Sequence, residues 1–133
     1  MDIDLITNTL VLLNEKKEII FSSTKGGIRP LVECIQTIKE NNHTLHDRVI
    51  GLAAAKLIVY SKAINKVITP TISKPAKEYL EENNIELKYT QVVDNILMKD
   101  RTDICPMEKK ALTANNNDDF IKEIFELFNK LKQ

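Results

Sequence analysis

The sequence is poor in cysteine, has no net charge and contains no long apolar run, and each shortage narrows the field. Only Cys34 and Cys105 occur. The opening MDIDLITN has neither the basic flank nor the apolar stretch of a secretory signal, so a reducing cytoplasm is the expected setting. Basic and acidic residues number 19 each. The mean field therefore neither attracts nor repels polyanions, and nucleic-acid binding loses its main driving force. The longest apolar stretch, Val49 to Tyr60, contains Lys56 and falls short of the roughly 18 residues that a membrane span takes, so no membrane association is expected. No internal repeat is visible. Gly26-Gly27 lacks the longer glycine pattern and the following Lys-Ser/Thr of a phosphate loop.

What is present suits one domain, 1–133, with a single core: 43% of the 133 residues are apolar and 29% charged. The dominant stretch is Leu45 to Ala63, LHDRVIGLAAAKLIVYSKA, which from Val49 to Tyr60 is apolar on all sides, the pattern of a helix surrounded by neighbours. Thr44 followed by Asp47 has capping-box form, so the spacing predicts one helix of about 28 Å over this span. Lys56 is its lone charge, expected to snorkel to the rim unless it is buried with a partner.

Around this helix, Thr9–Asn14 and Glu18–Ser23 flank a polar NEKKE loop and predict a β-hairpin. Ile28, Leu31, Val32, Ile35 and Ile38 recur at helical spacing and predict a first helix from Ile28 to Asn41, with Cys34 as a small core residue. Lys66–Ser73 is β-branched and predicts a strand, which Pro70 assigns to an edge or a bulge. Ser73 is placed to cap a short helix through about Asn83 that carries Ala76, Tyr79 and Leu80 on one face. Ile85–Val92 predicts another strand, and a helix is expected to start at Met107. A last helix, about 117–132, has Phe120, Ile121, Ile124 and Phe125 on one face for docking on the body. The fold class is α/β, with a mixed sheet of four to five strands and helices packed on it in two or three layers.

The order of these elements resembles the cytidine deaminase fold. More closely, the segments GGIRPLVECI, DRVIGLAAAKLIVY, ISKPAKEYLEENNIELKY and TDICPMEKKAL resemble a small uncharacterised prokaryotic family with a zinc-less version of that fold. The resemblance implies two helix amino termini facing one cleft. In a zinc deaminase those two helices supply a His or Cys with a nearby Glu, and a pair of cysteines. Here the corresponding residues, Val49 to Ala55 and Ser73 to Glu78, include no such ligand set, so no metal and no other cofactor is expected. His43 and His46 are spaced i and i+3 but fall at a predicted helix start in a polar loop, so they are not expected to bind metal.

Three functional readings follow. The leading one is a zinc-independent binding or sensor domain for a nucleotide-like or other anionic metabolite, with Arg48, Lys74, Arg29 and Asp103 as ligand-binding residues. Arginine holds an anion bidentately, whereas lysine acts as a point charge. The second is an enzyme with Cys105 as nucleophile and Glu108 as acid or base, since a cysteine ahead of a helix start can have a lowered pKa. The third is a protein-interaction subunit that self-assembles into a homo-oligomer, with the apolar last helix available for an interface. The competing structural readings are surface ion pairs for Arg29, Arg48 and Lys74, and turn packing for Cys105, Pro106 and Met107.

Overall fold

The structure, a computed structural model, describes residues 5–25, 28–38, 42–94, 111 and 117–131, with side chains of the last helix through 126. The predicted hairpin is present as β1 (Leu10–Leu13) and β2 (Ile19–Ser23), paired antiparallel. Its turn is tied by Asn14, whose Oδ1 accepts from the Lys16 and Glu18 amides at 3.0 and 2.9 Å. Helix α1 (Arg29–Thr37) follows, shorter than expected, with Pro30 in its first turn.

The largest correction concerns the central stretch. Residues His43–Asp47 form β3 and Val49–Ile50 form β4, so the helix α2 is confined to Leu52–Ser61. It is ten residues long, about 15 Å rather than 28 Å. Thr44 and Asp47 are therefore strand residues and cap nothing. The apolar positions Leu45 and Ile50 suited either state, and β3 gains two pairing partners, β1 and β5, as a strand; tertiary pairing overrides local propensity here. His43 and His46, three apart on a strand, face opposite sides of the sheet.

After α2 come β5 (Ile64–Ser73), α3 (Lys74–Glu82) and β6 (Glu86–Val93). The last described element is α4 (Asn117–Leu131). Pro70 does not mark an edge, because β5 lies in the interior of the sheet, paired with β3 and β4 on one side and β6 on the other. The proline is accommodated by a gap. His46 pairs with Ile68 and Val49 with Thr71, so Arg48 falls opposite Pro70 and the line of β3 resumes as β4. The β6 ladder likewise skips from Thr69↔Tyr89 to Thr71↔Gln91. Thr69 spans the gap, its Oγ1 donating to the Thr71 carbonyl at 2.9 Å and accepting from the Thr71 amide at 3.3 Å. This interruption raises the strand count from the expected four or five to six.

The connections β2–α1–β3, β4–α2–β5 and β5–α3–β6 each join parallel strands and step in one direction across the sheet. Right-handed crossovers then set α1, α2 and α3 on one face, and α2 indeed touches both α1 and α3, while α4 packs on α2. Contacts on every side explain why Leu52 through Ile58 are all buried. Leu57 and Ile58 are wholly buried, each contributing about 1.5–3 kcal/mol. Lys56 does not snorkel: it is 6% exposed, with Nζ donating to the Ala111 carbonyl at 2.6 Å and lying 5.2 Å from the Phe120 ring centroid. On α4 the predicted face holds, with Phe120, Ile121 and Ile124 buried. No helix among the described residues is long and apolar enough to cross a membrane.

Candidate functional site

The register of the parallel strands sets two helix starts level with each other at one edge of the sheet, and a third helix departs from the same side. Ile50 pairs with Ile72, and the next residue of each strand, Gly51 and Ser73, is the amino-terminal cap of α2 and of α3. Strand β6 ends at the same level, Val93 pairing with Ser73, and α1 leaves from the same end of β2. Ser73 caps as expected, its Oγ accepting from the Ala76 amide at 3.3 Å.

Helix starts carry partial positive charge, which proteins usually offset with Asp or Glu in the first turn. Helix α4 does so with Asp118 and Asp119. Helices α1, α2 and α3 have no acidic residue in their first turns. The edge is thus a positive end on three adjacent helices.

The expected cations are placed at this edge, on separate elements and with different partners. Lys74 is the exposed first residue of α3. Arg29, the first residue of α1, donates from Nε to Glu33 at 3.1 Å, and Lys25 approaches the same carboxylate at 3.8 Å. Arg48 has been given another task than the anion contact expected of it. Its Nε donates to the Leu5 carbonyl at 2.8 Å and its Nη2 to those of Ile6 and Asn8 at 2.7 and 3.3 Å, so its guanidinium holds the segment leading into β1. Asp103, Cys105 and Glu108 lie outside the described residues, as does the helix start expected at Met107. Among the described residues no group of three or more His, Cys, Asp or Glu could hold a metal.

One residue at this edge, read from the sequence as part of a helix cap, has a different role. Asp47 ends β3 with its carboxylate turned back on the Val49 and Arg48 amides, and burial pushes it up to about 7 although those amides and the Arg48 charge pull it down. Across from it on α1, burial, with the Asp47 charge adding, pushes the Cys34 thiol up to about 12, which makes that sulfur unreactive. Only the strand assignment of residues 43–47 would have exposed this pair.

At the opposite end of α2 there is a groove of about 590 Å³, lined in part by Lys56, Tyr60, Tyr79, Asp118 and Phe125. Among the described residues, none of the sequence-selected ligand residues Arg29, Arg48 and Lys74 borders it. The Tyr79 hydroxyl accepts from Asn117 at 3.1 Å, and burial, then Asp118 and Glu82, hold its pKa above the usual value.

Fold and edge together define a mixed α/β domain with helix starts gathered at the carboxyl ends of its parallel strands. Residues 4–129 match the family model TM1506, a domain of unknown function, DUF1893. The chain belongs to that family. It is similar to the crystal structure of a DUF1893 family protein (TM1506) from Thermotoga maritima at 2.70 Å resolution, with a TM-score of 0.80 and 25% identity over 90% of this chain and 80% of that one. No curated protein matches it.

Proposed function

We propose that this chain is a metal-independent binding domain for a small anionic metabolite carrying phosphate or carboxylate, with its site at the carboxyl edge of the parallel strands. The observation that carries this reading is the set of three adjacent helix starts without a single first-turn acid, a field that favours an anion. Lys74 adds an exposed positive charge at that edge, Arg29 stands beside it paired with Glu33, and Arg48 acts indirectly by fixing the neighbouring chain. A deaminase-like layering fits the same facts: α2 and α3 start in register at Gly51 and Ser73, and the first-turn positions Leu52–Ala54 and Lys74–Ala76 carry no metal ligand. The buried, unpaired Cys34 suits the reducing cytoplasm.

The test is thermal shift and calorimetry with inorganic phosphate, pyrophosphate and nucleoside monophosphates, beside native mass spectrometry of the purified protein. Lys74→Glu places an acid in the first turn of α3 and is expected to weaken binding of the best anion about tenfold or more, equivalent to about 1.4 kcal/mol. Absence of any binding at millimolar anion, or equal affinity in Lys74→Glu, would sink the proposal.

A further inference from the structure

The chain has three tyrosines, four phenylalanines and no tryptophan, and Tyr60, Tyr79 and Phe125 all line the groove at the far end of α2 from the anion edge. Its volume of about 590 Å³ lies within the roughly 300–1,000 Å³ of small-molecule sites. Four helices supply the walls: Ile35 comes from α1, Tyr60 from α2, Tyr79 from α3, and Ile121 and Phe125 from α4. Because α2 packs on the other three, the rings share one frame. Tyr60 is half exposed, its ring tilted at 53° against Phe125 with centroids 5.9 Å apart. A large ring left half in water offers a face on which another π system stacks.

The polar groups of the groove have directions. The Tyr79 oxygen accepts from Asn117 Nδ2 at 3.1 Å, which leaves its own hydrogen to donate; among the described residues no acceptor takes it. Burial and the nearby Asp118 charge keep that hydroxyl protonated. Asp118 has only acceptors to offer when ionised, about four lone-pair positions, so it serves a ligand beside the contact it already makes. Lys56 and Lys62 in the lining are opposed by Asp118 and the negative carboxyl end of α2, so neither sign of charge is favoured. We infer that this groove binds an uncharged planar heterocycle with a lactam edge, the N–H beside a carbonyl found in hypoxanthine or uracil. The ring stacks on Tyr60, the carbonyl accepts from the Tyr79 hydroxyl, and the N–H donates to Asp118. Adenine presents the reverse pattern, a donor where the carbonyl stands and a lone pair where the N–H stands. Its ring nitrogen then faces the carboxylate, and a site arranged for one hydrogen-bonding pattern rejects the reversed one.

Calorimetric titration of the full chain with inosine, uridine and adenosine is the test. These nucleosides carry neither phosphate nor carboxylate, so the anion edge is not engaged and either proposal can fail alone. Inosine and uridine are expected to bind with dissociation constants below about 1 mM, and adenosine at least about tenfold more weakly than inosine. Tyr60→Ala removes the stacking face of a half-exposed residue; it is expected to weaken inosine at least about tenfold with an unchanged circular dichroism spectrum. Tyr79→Phe keeps the ring and removes the donor, and is expected to weaken inosine about tenfold and to narrow its lead over adenosine. In Tyr89→Phe, whose two remaining tyrosines are both in the groove, inosine is expected to quench tyrosine emission with the wild-type dissociation constant. Failure of inosine and uridine to bind at millimolar concentration overturns the inference, as does adenosine bound as tightly as inosine or an inosine affinity indifferent to either Tyr60→Ala or Tyr79→Phe.

Discussion

At the amino end of α2 the polar contacts run to backbone. Arg48 reaches three carbonyls, Asp47 receives two amides and Ser73 receives one. From its middle to its carboxyl end the contacts reach across to other elements: Lys56 donates to the Ala111 carbonyl and sits over Phe120, Tyr60 packs on Phe125 with ring centroids 5.9 Å apart, and Asn117 donates to Tyr79. Contacts to backbone fix the path of a strand or a turn and act over a few residues. The ring and side-chain contacts of Lys56, Tyr60 and Tyr79 instead fix how α4 sits on α2 and α3.

Three substitutions put this contrast under strain. The largest effect is expected from Lys56→Ala, which leaves the Ala111 carbonyl without its donor and opens space beside Phe120. The expected loss is about 3 kcal/mol of unfolding free energy, measured by urea denaturation; a change below about 1 kcal/mol would mean that α4 is anchored without it. Arg48→Ala is expected to cost about 2 kcal/mol and to speed proteolysis near Leu5–Asn8 while leaving α4 protected. Hydrogen exchange reads both regions at once, and loosening of α4 in this variant would erase the distinction between the two ends.

The smallest effect is the most diagnostic, because it changes with pH. The folded Asp47 carboxyl titrates near 7, above its ordinary 3.8, so the folded state binds the proton more tightly than the unfolded chain. The cost of burying the charge is therefore fully present above about pH 7 and is relieved as pH falls toward the unfolded value. Asp47→Asn should gain at least about 1 kcal/mol at pH 8 and much less at pH 4.5, followed as the difference in Tm between the two proteins. A gain independent of pH would show that this carboxyl is solvated.

Most elements were legible because their signals were local. Asn14 and the NEKKE turn, Ser73 before Pro75, and the apolar face of α4 each announce themselves within a few residues. Lys74 was rightly sought at a helix start for the same reason. The segment His43–Ile50 was misread because its state is decided by β1 and β5, which lie far away in sequence. Pro70 was misassigned likewise, since tolerance of a proline inside a sheet depends on both neighbouring strands skipping the same position. Arg48 illustrates the difficulty at the candidate site. Its charge is visible in the sequence, but the three carbonyls that occupy it come from residues forty or more positions earlier.

Pro70 has a consequence for how the sheet is divided. With Arg48, Pro70 and Thr90 all falling out of the ladders, a transverse seam crosses the three parallel strands, and beyond it only the rungs at Thr71, Ile72 and Ser73 remain before the helices begin. The shelf from which α2 and α3 depart is thus a short ledge joined to the rest of the sheet along a line of weak hydrogen bonding. Pro70 offers no amide to either neighbour, so this row is held by fewer backbone hydrogen bonds than the rows on each side of it.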